Sequence, residues 1–190
     1  MSGRRPDLTT ADLAAARRRE PEAVARIYRA HASALFRFFL ASTGHHQTAE
    51  DLTGSVFVAV IDALPGFRGP AEAFPSWLFT IARHDLWDHY RDNERRPTEP
   101  LDGQLENQRT VEAPPDPESI AMERARYDEV LAACRQLPGE QREVLLLRLL
   151  GLRTAEIADV LGKTPGAVKA VQRRGLTRLA RHLGVLSERR

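Results

Sequence analysis

The chain has 190 residues, of which 42% are hydrophobic and 28% charged, and its formal net charge at pH 7 is only +2. This composition fits one or two small domains, and no apolar run approaches the roughly 20 residues of a membrane span. Residues 1–12 lack the apolar stretch of a signal peptide, and the single Cys134 excludes an internal disulfide. We therefore expect a cytoplasmic protein without membrane insertion. Apolar residues recur mostly at spacings of three and four, which predicts an all-α fold.

Two predicted segments begin the chain. Residues 1–21 form an extension with a short helix, which Thr10 can cap and Pro21 ends. Residues 22–97 form the first helical domain, and its first helix, over 22–41, has a continuous apolar stripe.

The first domain continues with two more predicted helices. Thr48 can cap a helix over 49–64, which has acids in its first turn. The helix-breaking prolines and glycines within 65–70 predict a loop. A final helix over 75–95 ends before Pro97, since the residue before a proline avoids helical geometry.

Six of the twelve aromatic residues lie between positions 67 and 90, interleaved with arginines and histidines. Aromatic rings can stack on unpaired bases while arginines hold the backbone, which suits single-stranded DNA. Trp77 and Phe79 lie within an apolar run and are predicted to be core residues, whereas Trp87 and Tyr90 suit either role. The loop from Phe67 to Phe74 is the candidate holder of an extruded base.

Residues 98–117 interrupt the helical pattern. They contain four prolines and five acids against the single base Arg109, a net charge of −4. Low hydrophobicity, proline and like charge describe a segment that cannot bury itself. We predict a flexible acidic linker between two small helical domains, although a surface loop is the simpler alternative.

The second domain, over 118–184, contains a predicted helix-turn-helix. A helix to about Leu137 is followed by one over 139–150 and a break at 151–153. Thr154 can then cap a short helix that ends at Leu161. A three-residue turn containing glycine follows, as in helix-turn-helix motifs.

The last helix is the predicted DNA-reading element. Thr164 is its expected N-cap, and Pro165 occupies the first helical position, where its missing N–H costs nothing. Residues 163–190, which include a basic tail at 185–190, hold eight Lys and Arg against one acid. This local excess of +7 indicates a phosphate-binding surface. An amphipathic helix that merely packs on its neighbours is the alternative reading.

No pattern indicates catalysis. The six histidines and Cys134 show no zinc-ligand spacing, and Cys134 has apolar neighbours that suit a buried side chain. No glycine-rich phosphate loop and no nucleophile–base pair is apparent. We expect no enzyme activity, catalytic residue, metal or cofactor.

The two domains together resemble bacterial RNA polymerase sigma factors of the extracytoplasmic-function (ECF) group, in the sigma-70 family. In the first domain the resemblance rests on Ala49–Thr53, Val56–Phe57 and Phe74–Arg83, with Asp88 and Arg91. In the second it rests on Leu137–Pro138, Gln141–Val144, Gly151–Leu152, Glu156–Ala158, Leu161–Gly162, Pro165–Lys169 and Leu179.

The resemblance implies a division of labour. The first domain would bind core RNA polymerase and the melted −10 promoter element, and the linker would thread toward the RNA path. The second domain would bind the −35 element in promoter DNA, and an anti-sigma factor would control the protein. The implied polymerase-binding residues are Glu50, Asp51, Leu52, Ser55 and Val58. The implied −10 residues are Phe67, Arg68, His84, Trp87, Asp88, Arg91 and Arg95.

For the −35 element, the N-terminal part of the last helix is expected to meet base edges and the rest to meet phosphates. Arg173 is the candidate for a two-point contact to guanine, and Arg174, Arg178 and Arg181 are candidates for phosphate contacts. The complete predicted −35 set is Thr164, Gly166, Lys169, Ala170, Arg173, Arg174, Arg178 and Arg181.

The chain departs from the family pattern in four places: Gly54-Ser55, His84, Arg153 and the run 170–174. The first bears on polymerase contacts and the others on promoter preference. Apolar residues alone would make the 49–64 helix a core helix. Two alternatives remain: a one-component helix-turn-helix regulator that is not a polymerase subunit, or an interaction protein that has lost initiation.

Overall fold

The computed structural model describes residues 8–95 and 129–184, and every regular element in those two stretches is helical. The helices are α1 (Thr10–Arg17), α2 (Pro21–Thr43), α3 (His46–Ala63), α4 (Phe74–Arg95), α5 (described over 129–135), α6 (Gly139–Leu149), α7 (Thr154–Leu161) and α8 (Pro165–His182). None of these helices is long and apolar enough to cross a membrane. The all-α prediction is confirmed. The predicted linker at 98–117, the tail at 185–190 and the start of the second domain lie outside the described residues.

The first domain packs α2, α3 and α4 around an aromatic core. Phe38, Phe39, Phe74 and Phe79 are fully buried, and Phe38 makes an edge contact with Phe79 at 5.6 Å between ring centroids. Two 3-10 turns, at Leu64–Gly66 and Ala71–Ala73, join α3 to α4. The loop between these turns is thereby placed at the N-terminal end of α4.

Two predicted helix starts need correction. Thr9, not Thr10, caps α1: its Oγ1 accepts from Asp12 N at 3.1 Å, and its own N–H donates to the Asp12 carboxylate at 3.0 Å. The helix predicted to start after Thr48 begins at His46, with His45 as N-cap. Both errors are within three residues, because several polar side chains near each start can serve as a cap.

The second domain places α6, α7 and α8 around a core of aliphatic side chains, including the fully buried Val144, Ile157 and Val168. α7 ends at Leu161, and its C-cap Gly162 adopts the left-handed conformation at φ 63° and ψ 37°. That conformation reverses the chain without the steric cost that a Cβ would bring. The reversal gives the two-helix geometry predicted for the helix-turn-helix.

The two domains contact each other directly. α4 packs against α7, and α2 packs against α6. Arg83 Nε in α4 lies 3.4 Å from the Glu143 carboxylate in α6. Arg142 Nη1 also donates to the Ser42 carbonyl of α2 at 3.4 Å. The described residues thus form a closed arrangement, in which α7 lies against both α4 and α8.

Candidate nucleic-acid interface

The start of α8 is fixed as the sequence predicted. Thr164 Oγ1 accepts a hydrogen bond from Ala167 N at 3.2 Å, and Pro165 follows at the first helical position. A cap of this kind holds the first turn in one orientation and satisfies an otherwise unpaired N–H. The cap therefore fixes the position of the first turn of α8, which carries residues that would meet base edges.

α8 has one buried face and one exposed face. Val168, Val171, Gly175 and Leu179 are buried against the domain. Of the predicted −35 residues, Ala170 is half-buried, and the exposed ones are Thr164, Gly166, Lys169, Arg173, Arg174, Arg178 and Arg181. The four arginines of this set are thus available to solvent and to DNA.

A cleft of about 270 Å³ lies beside the exposed face of α8. Its lining includes Gln141 of α6, which the sequence analysis did not connect with DNA. The Oε1 atom of Gln141 is buried and has no hydrogen-bond partner. The other lining residues are Arg173, Arg174, Thr177, Arg178 and Arg181. Four guanidinium groups line this cleft, and guanidinium groups can donate hydrogen bonds to anionic oxygens such as those of backbone phosphates.

The first helix of the helix-turn-helix starts differently from its prediction. Arg153 is the N-cap of α7, so Thr154, the predicted cap, is the first helical residue. The Arg153 N–H donates to Glu156 Oε2 at 2.5 Å, and its guanidinium donates to Glu156 Oε1 at 3.1 Å. Glu156 in the first turn also suits the positive end of the helix dipole. The start of α7 is therefore held by the contacts of Arg153 with Glu156, three residues further on, and not by a threonine side chain.

α4 presents a concave exposed surface of charged and aromatic side chains. The Arg83 guanidinium lies 5.6 Å from the Trp87 ring centroid, within cation–π range. Trp87 is 49% exposed, and Arg91 pairs with Asp88 one turn further on. The lining residues are Arg83, His84, Trp87, Asp88 and Arg91. Four of them were predicted −10 residues, and the Trp87 ring is half-exposed rather than buried in the core.

Three residues of the predicted −10 set lie elsewhere or are not described. Phe67 is only 6% exposed, because it packs on Phe74 and Trp77 at centroid distances of 5.7 and 5.0 Å. Its ring is therefore not available to a base, and its assignment to the DNA surface is corrected to a core role. Arg68 is exposed and donates to the Pro65 carbonyl. α4 ends at Arg95, whose side chain lies outside the described residues.

α3 has the exposed face that a polymerase-binding role requires. Glu50, Asp51, Ser55 and Val58 are exposed, and Val58 has 63% of its surface in solvent. Leu52 is 9% exposed and belongs to the core, so its predicted polymerase contact is corrected. Buried apolar residues one helical turn away lie on the same face of α3 as Leu52.

Ser55 also touches α4. It hydrogen-bonds the carboxylate of Asp85, whose partial burial raises its pKa, while the Ser55 hydrogen bond lowers that pKa in part. The departure from the family pattern at Gly54-Ser55 thus has a structural consequence. The Ser55 hydroxyl serves a contact between α3 and α4.

The described residues offer little for metal or thiol chemistry. Cys134 is fully buried, and burial raises the pKa of its thiol to about 11. No group of three His, Cys, Asp or Glu side chains within 8–95 and 129–184 could hold a metal ion.

Two sequence profiles match the chain. Residues 27–96 match Sigma-70 region 2, and residues 127–179 match region 4 of the same family, which together cover more than half of the chain. Relatives named as ECF RNA polymerase sigma factors align with this chain over 134 to 166 residues. The chain belongs to the ECF group of the sigma-70 family. The first matched region contains the exposed faces of α3 and α4, and the second contains α8 up to Leu179.

Three curated relatives show the extent of this ECF likeness. BldN of Streptomyces coelicolor is 34% identical over 86% of this chain and 61% of BldN. ShbA of Streptomyces griseus is 36% identical over 68% of this chain and 69% of ShbA. SigX of Bacillus subtilis is 29% identical over 85% and 84% of the two chains. This ECF chain therefore spans less than two thirds of BldN and slightly more than two thirds of ShbA.

Two solved structures are similar in fold. CnrH, solved in complex with the cytosolic domain of CnrY, has a TM-score of 0.64 and 24% identity, over 93% of this chain and 97% of CnrH. RpoE of Bartonella quintana, solved with the anti-sigma factor NepR, has a TM-score of 0.63 and 22% identity, over 86% and 98%. At these identities, the likeness concerns the fold of the ECF chain.

Proposed function

We propose that this chain is a dissociable initiation factor that binds core RNA polymerase and directs it to promoters. α4 reads the melted −10 element, and α8 reads the −35 element in duplex DNA. The observation that carries the proposal is the occurrence, in one ECF-group chain, of an exposed aromatic and basic face on α4 and an exposed arginine face on α8.

The two faces suit two forms of DNA. Trp87 offers a flat ring beside the Arg83 guanidinium, which is the combination that stacks an unpaired base and holds its phosphate. α8 offers a capped N-terminus followed by arginines along one face, which suits entry into a major groove. A promoter that is melted at the −10 element and double-stranded at the −35 element needs both of these protein faces.

Polymerase binding is assigned to the exposed face of α3, with Glu50, Asp51 and Val58. Val58→Asp places a charge where an apolar contact is proposed, without disturbing the core. We expect it to weaken association with core polymerase at least about tenfold, which corresponds to roughly 1.4 kcal/mol. Co-elution with core polymerase and fluorescence titration of the labelled chain measure this.

Ser33→Asp is the matched control, because Ser33 is exposed in α2 of the same domain and belongs to none of the proposed contacts. It should bind core polymerase as the parent chain does. Parent protein that does not associate with core polymerase, but still binds specific duplex DNA, would favour the one-component regulator instead.

Three further roles belong to the proposal. The chain acts in the cytoplasm, where RNA polymerase works, and the polymerase supplies all chemistry, so the chain itself is not an enzyme. An anti-sigma factor controls it, and the exposed α3 and α4 faces are the surfaces that such a protein would have to cover. The complex solved for RpoE with the anti-sigma factor NepR, in which RpoE shares this fold, supports that expectation.

A further inference from the structure

The loop 67–70, which lies between the two 3-10 turns, is folded closely around its own first side chain. Gly69 lies directly over the Phe67 ring: a Cβ at Gly69 would be 2.8 Å from Cζ and 3.0 Å from Cε2 of Phe67. Carbon atoms in contact pack about 3.5–4.0 Å apart, so a side chain at this position would displace either the ring or the loop backbone. The position of the Phe67 ring therefore determines the shape of the loop.

Other elements hold the Phe67 ring from its remaining sides. Phe74 and Trp77 of α4 lie 5.7 and 5.0 Å from it between ring centroids. The guanidinium of Arg17, the last residue of α1, lies 5.6 Å from the ring centroid, within cation–π range. These contacts leave Phe67 only 6% exposed. A substitution of Arg17 would therefore remove the support of the ring on the α1 side.

The Arg17 side chain is placed by its contact with the ring. Its Nε atom is buried and has no hydrogen-bond partner among residues 8–95 and 129–184. A buried N–H that has lost water without gaining another acceptor destabilises the folded state. The attraction between the guanidinium and the Phe67 ring offsets this cost. The contact with Phe67 is thus the interaction that favours this position of the side chain.

α1 gives this side chain a stable base. The helix packs against α2 and against the first 3-10 turn, and its Leu13 and Ala16 are buried. Arg19, two residues after Arg17, pairs with Asp62 near the end of α3 at 3.2 Å. These contacts hold the C-terminal end of α1, from which Arg17 reaches the loop.

We infer that Arg17 is a positioning residue for −10 recognition. From α1 it holds the Phe67 ring in place, and the ring with Gly69 holds the loop 67–70 in the shape that receives an extruded base. An extruded base is read by the shape of its pocket and by hydrogen bonds to its edges, so a displaced loop distinguishes bases less well. The role in DNA recognition rests on the proposed function, whereas the support of the loop is a property of the free chain.

Tryptophan fluorescence of the free chain tests the support of the loop. In a Trp87→Phe background, Trp77 is the remaining tryptophan of the two in the sequence, and its ring contacts Phe67. Arg17→Met removes the cation but keeps an apolar stem, and it should increase the quenching of Trp77 emission by acrylamide. Arg17→Lys keeps a cation beside the ring and should restore most of the parent behaviour.

The chain offers a matched control on each side of the loop. Arg18→Met changes the neighbouring arginine, which is exposed and pairs with Glu20 at 2.8 Å. Gly69→Ala should loosen the loop from the side opposite α1, whereas Gly66→Ala should not, because a Cβ at Gly66 meets nothing within 4 Å. Neither Arg18→Met nor Gly66→Ala should change the quenching of Trp77.

Fork DNA tests the recognition step. The chain with core polymerase is titrated with fork DNA whose −10 strand is unpaired, and the base is varied at each unpaired position in turn. The parent should prefer one base at one of these positions. Arg17→Met and Gly69→Ala should each lower the affinity ratio of the preferred to the poorest base about three- to tenfold. Partial unfolding would lower all affinities alike and would leave this ratio unchanged.

Each outcome decides for or against the inference. An unchanged affinity ratio in Arg17→Met or in Gly69→Ala, unchanged Trp77 quenching in Arg17→Met, or the same changes in Arg18→Met would overturn it. A parent without base preference at any unpaired position would do so too. If urea unfolding shows that Arg17→Met does not fold, Arg17→Gln takes its place and Gly69→Ala stays decisive.

Failure of the proposed function looks different. A parent that does not bind fork DNA together with core polymerase would remove the proposed function and, with it, the role of Arg17 in recognition. The quenching of Trp77 in the free chain would still decide whether Arg17 supports the loop. Binding of fork DNA with a base preference that Arg17→Met leaves intact would instead retain the proposed function and remove only the inference.

Discussion

Gly175 of α8 lies directly against Leu145 of α6: a Cβ at Gly175 would be 3.2 Å from both Cγ and Cδ1 of Leu145. The absence of a side chain lets the two helices approach closely. This contact sets the position of α8 on its domain and therefore the direction in which its arginines point.

Substitution of Gly175 should be costly because of this approach. Gly175→Val forces extra methyl groups into a packed site and should destabilise the second domain by about 1–3 kcal/mol. Gly54→Ala is the control, since a Cβ there meets nothing within 4 Å, and it should stabilise the chain by about 0.5–1 kcal/mol. Urea unfolding measures both. Similar effects of the two changes would contradict the close α6–α8 contact.

Trp87 and Phe67 should respond oppositely to truncation. Phe67→Ala removes a buried ring and should cost about 3–5 kcal/mol of stability. Trp87→Ala removes a half-exposed ring, so stability should change little. Its effect should appear instead as about 1–3 kcal/mol weaker binding of fork DNA with an unpaired −10 strand, by the chain together with core polymerase. Unchanged binding of this DNA would exclude Trp87 as a stacking residue.

The arginines of α8 should separate into two classes. Arg173→Ala should weaken binding to the preferred −35 duplex more than to base-substituted duplexes, by about 1–3 kcal/mol. Arg178→Ala should weaken binding to all duplexes alike and reduce the salt slope by about one unit. Titrations at several salt concentrations distinguish them. If Arg173→Ala leaves the order of preference intact, it is another phosphate contact.

Asp85 should make stability depend on pH. Its pKa is raised in the folded chain by partial burial, so the folded state holds the proton more tightly than the unfolded state. This contribution is complete below the unfolded pKa, near about 3.9, and is lost as the pH rises through the folded pKa. Asp85→Asn should therefore gain stability relative to the parent between pH 3 and pH 7. Thermal unfolding at both pH values tests this, and a constant difference would refute it.

Local patterns were sufficient to predict the helices. The helix predicted over 75–95 is α4 with one added residue, and the predicted turn before Thr164 is present, since spacing and breakers act within a few residues. The first residues of the helices were predicted less accurately, because more than one residue near each start can act as the N-cap; in the structure the N-caps of α1 and α7 are Thr9 and Arg153. The linker predicted at 98–117 stays a prediction.

The placement of single side chains depended on tertiary contacts. From the sequence, an aromatic residue among arginines can belong either to a DNA-binding surface or to the core. Phe67 belongs to the core, because its ring packs against Phe74 and Trp77 and lies 5.6 Å from the Arg17 guanidinium. The pair of Arg83 with Glu143 joins residues 60 positions apart, which no local pattern encodes. A signal did exist for Arg83 on the α4 face, because it precedes Trp87 by one helical turn.

Run-off transcription with purified core polymerase tests the central claim most directly. Templates are genomic fragments, and reactions are run with and without the chain. The account predicts new, discrete transcripts that depend on the chain and are lost when either the −10 or the −35 element of their promoters is replaced. Identical transcripts in both reactions, from a chain that is folded and present in excess over polymerase, would contradict it.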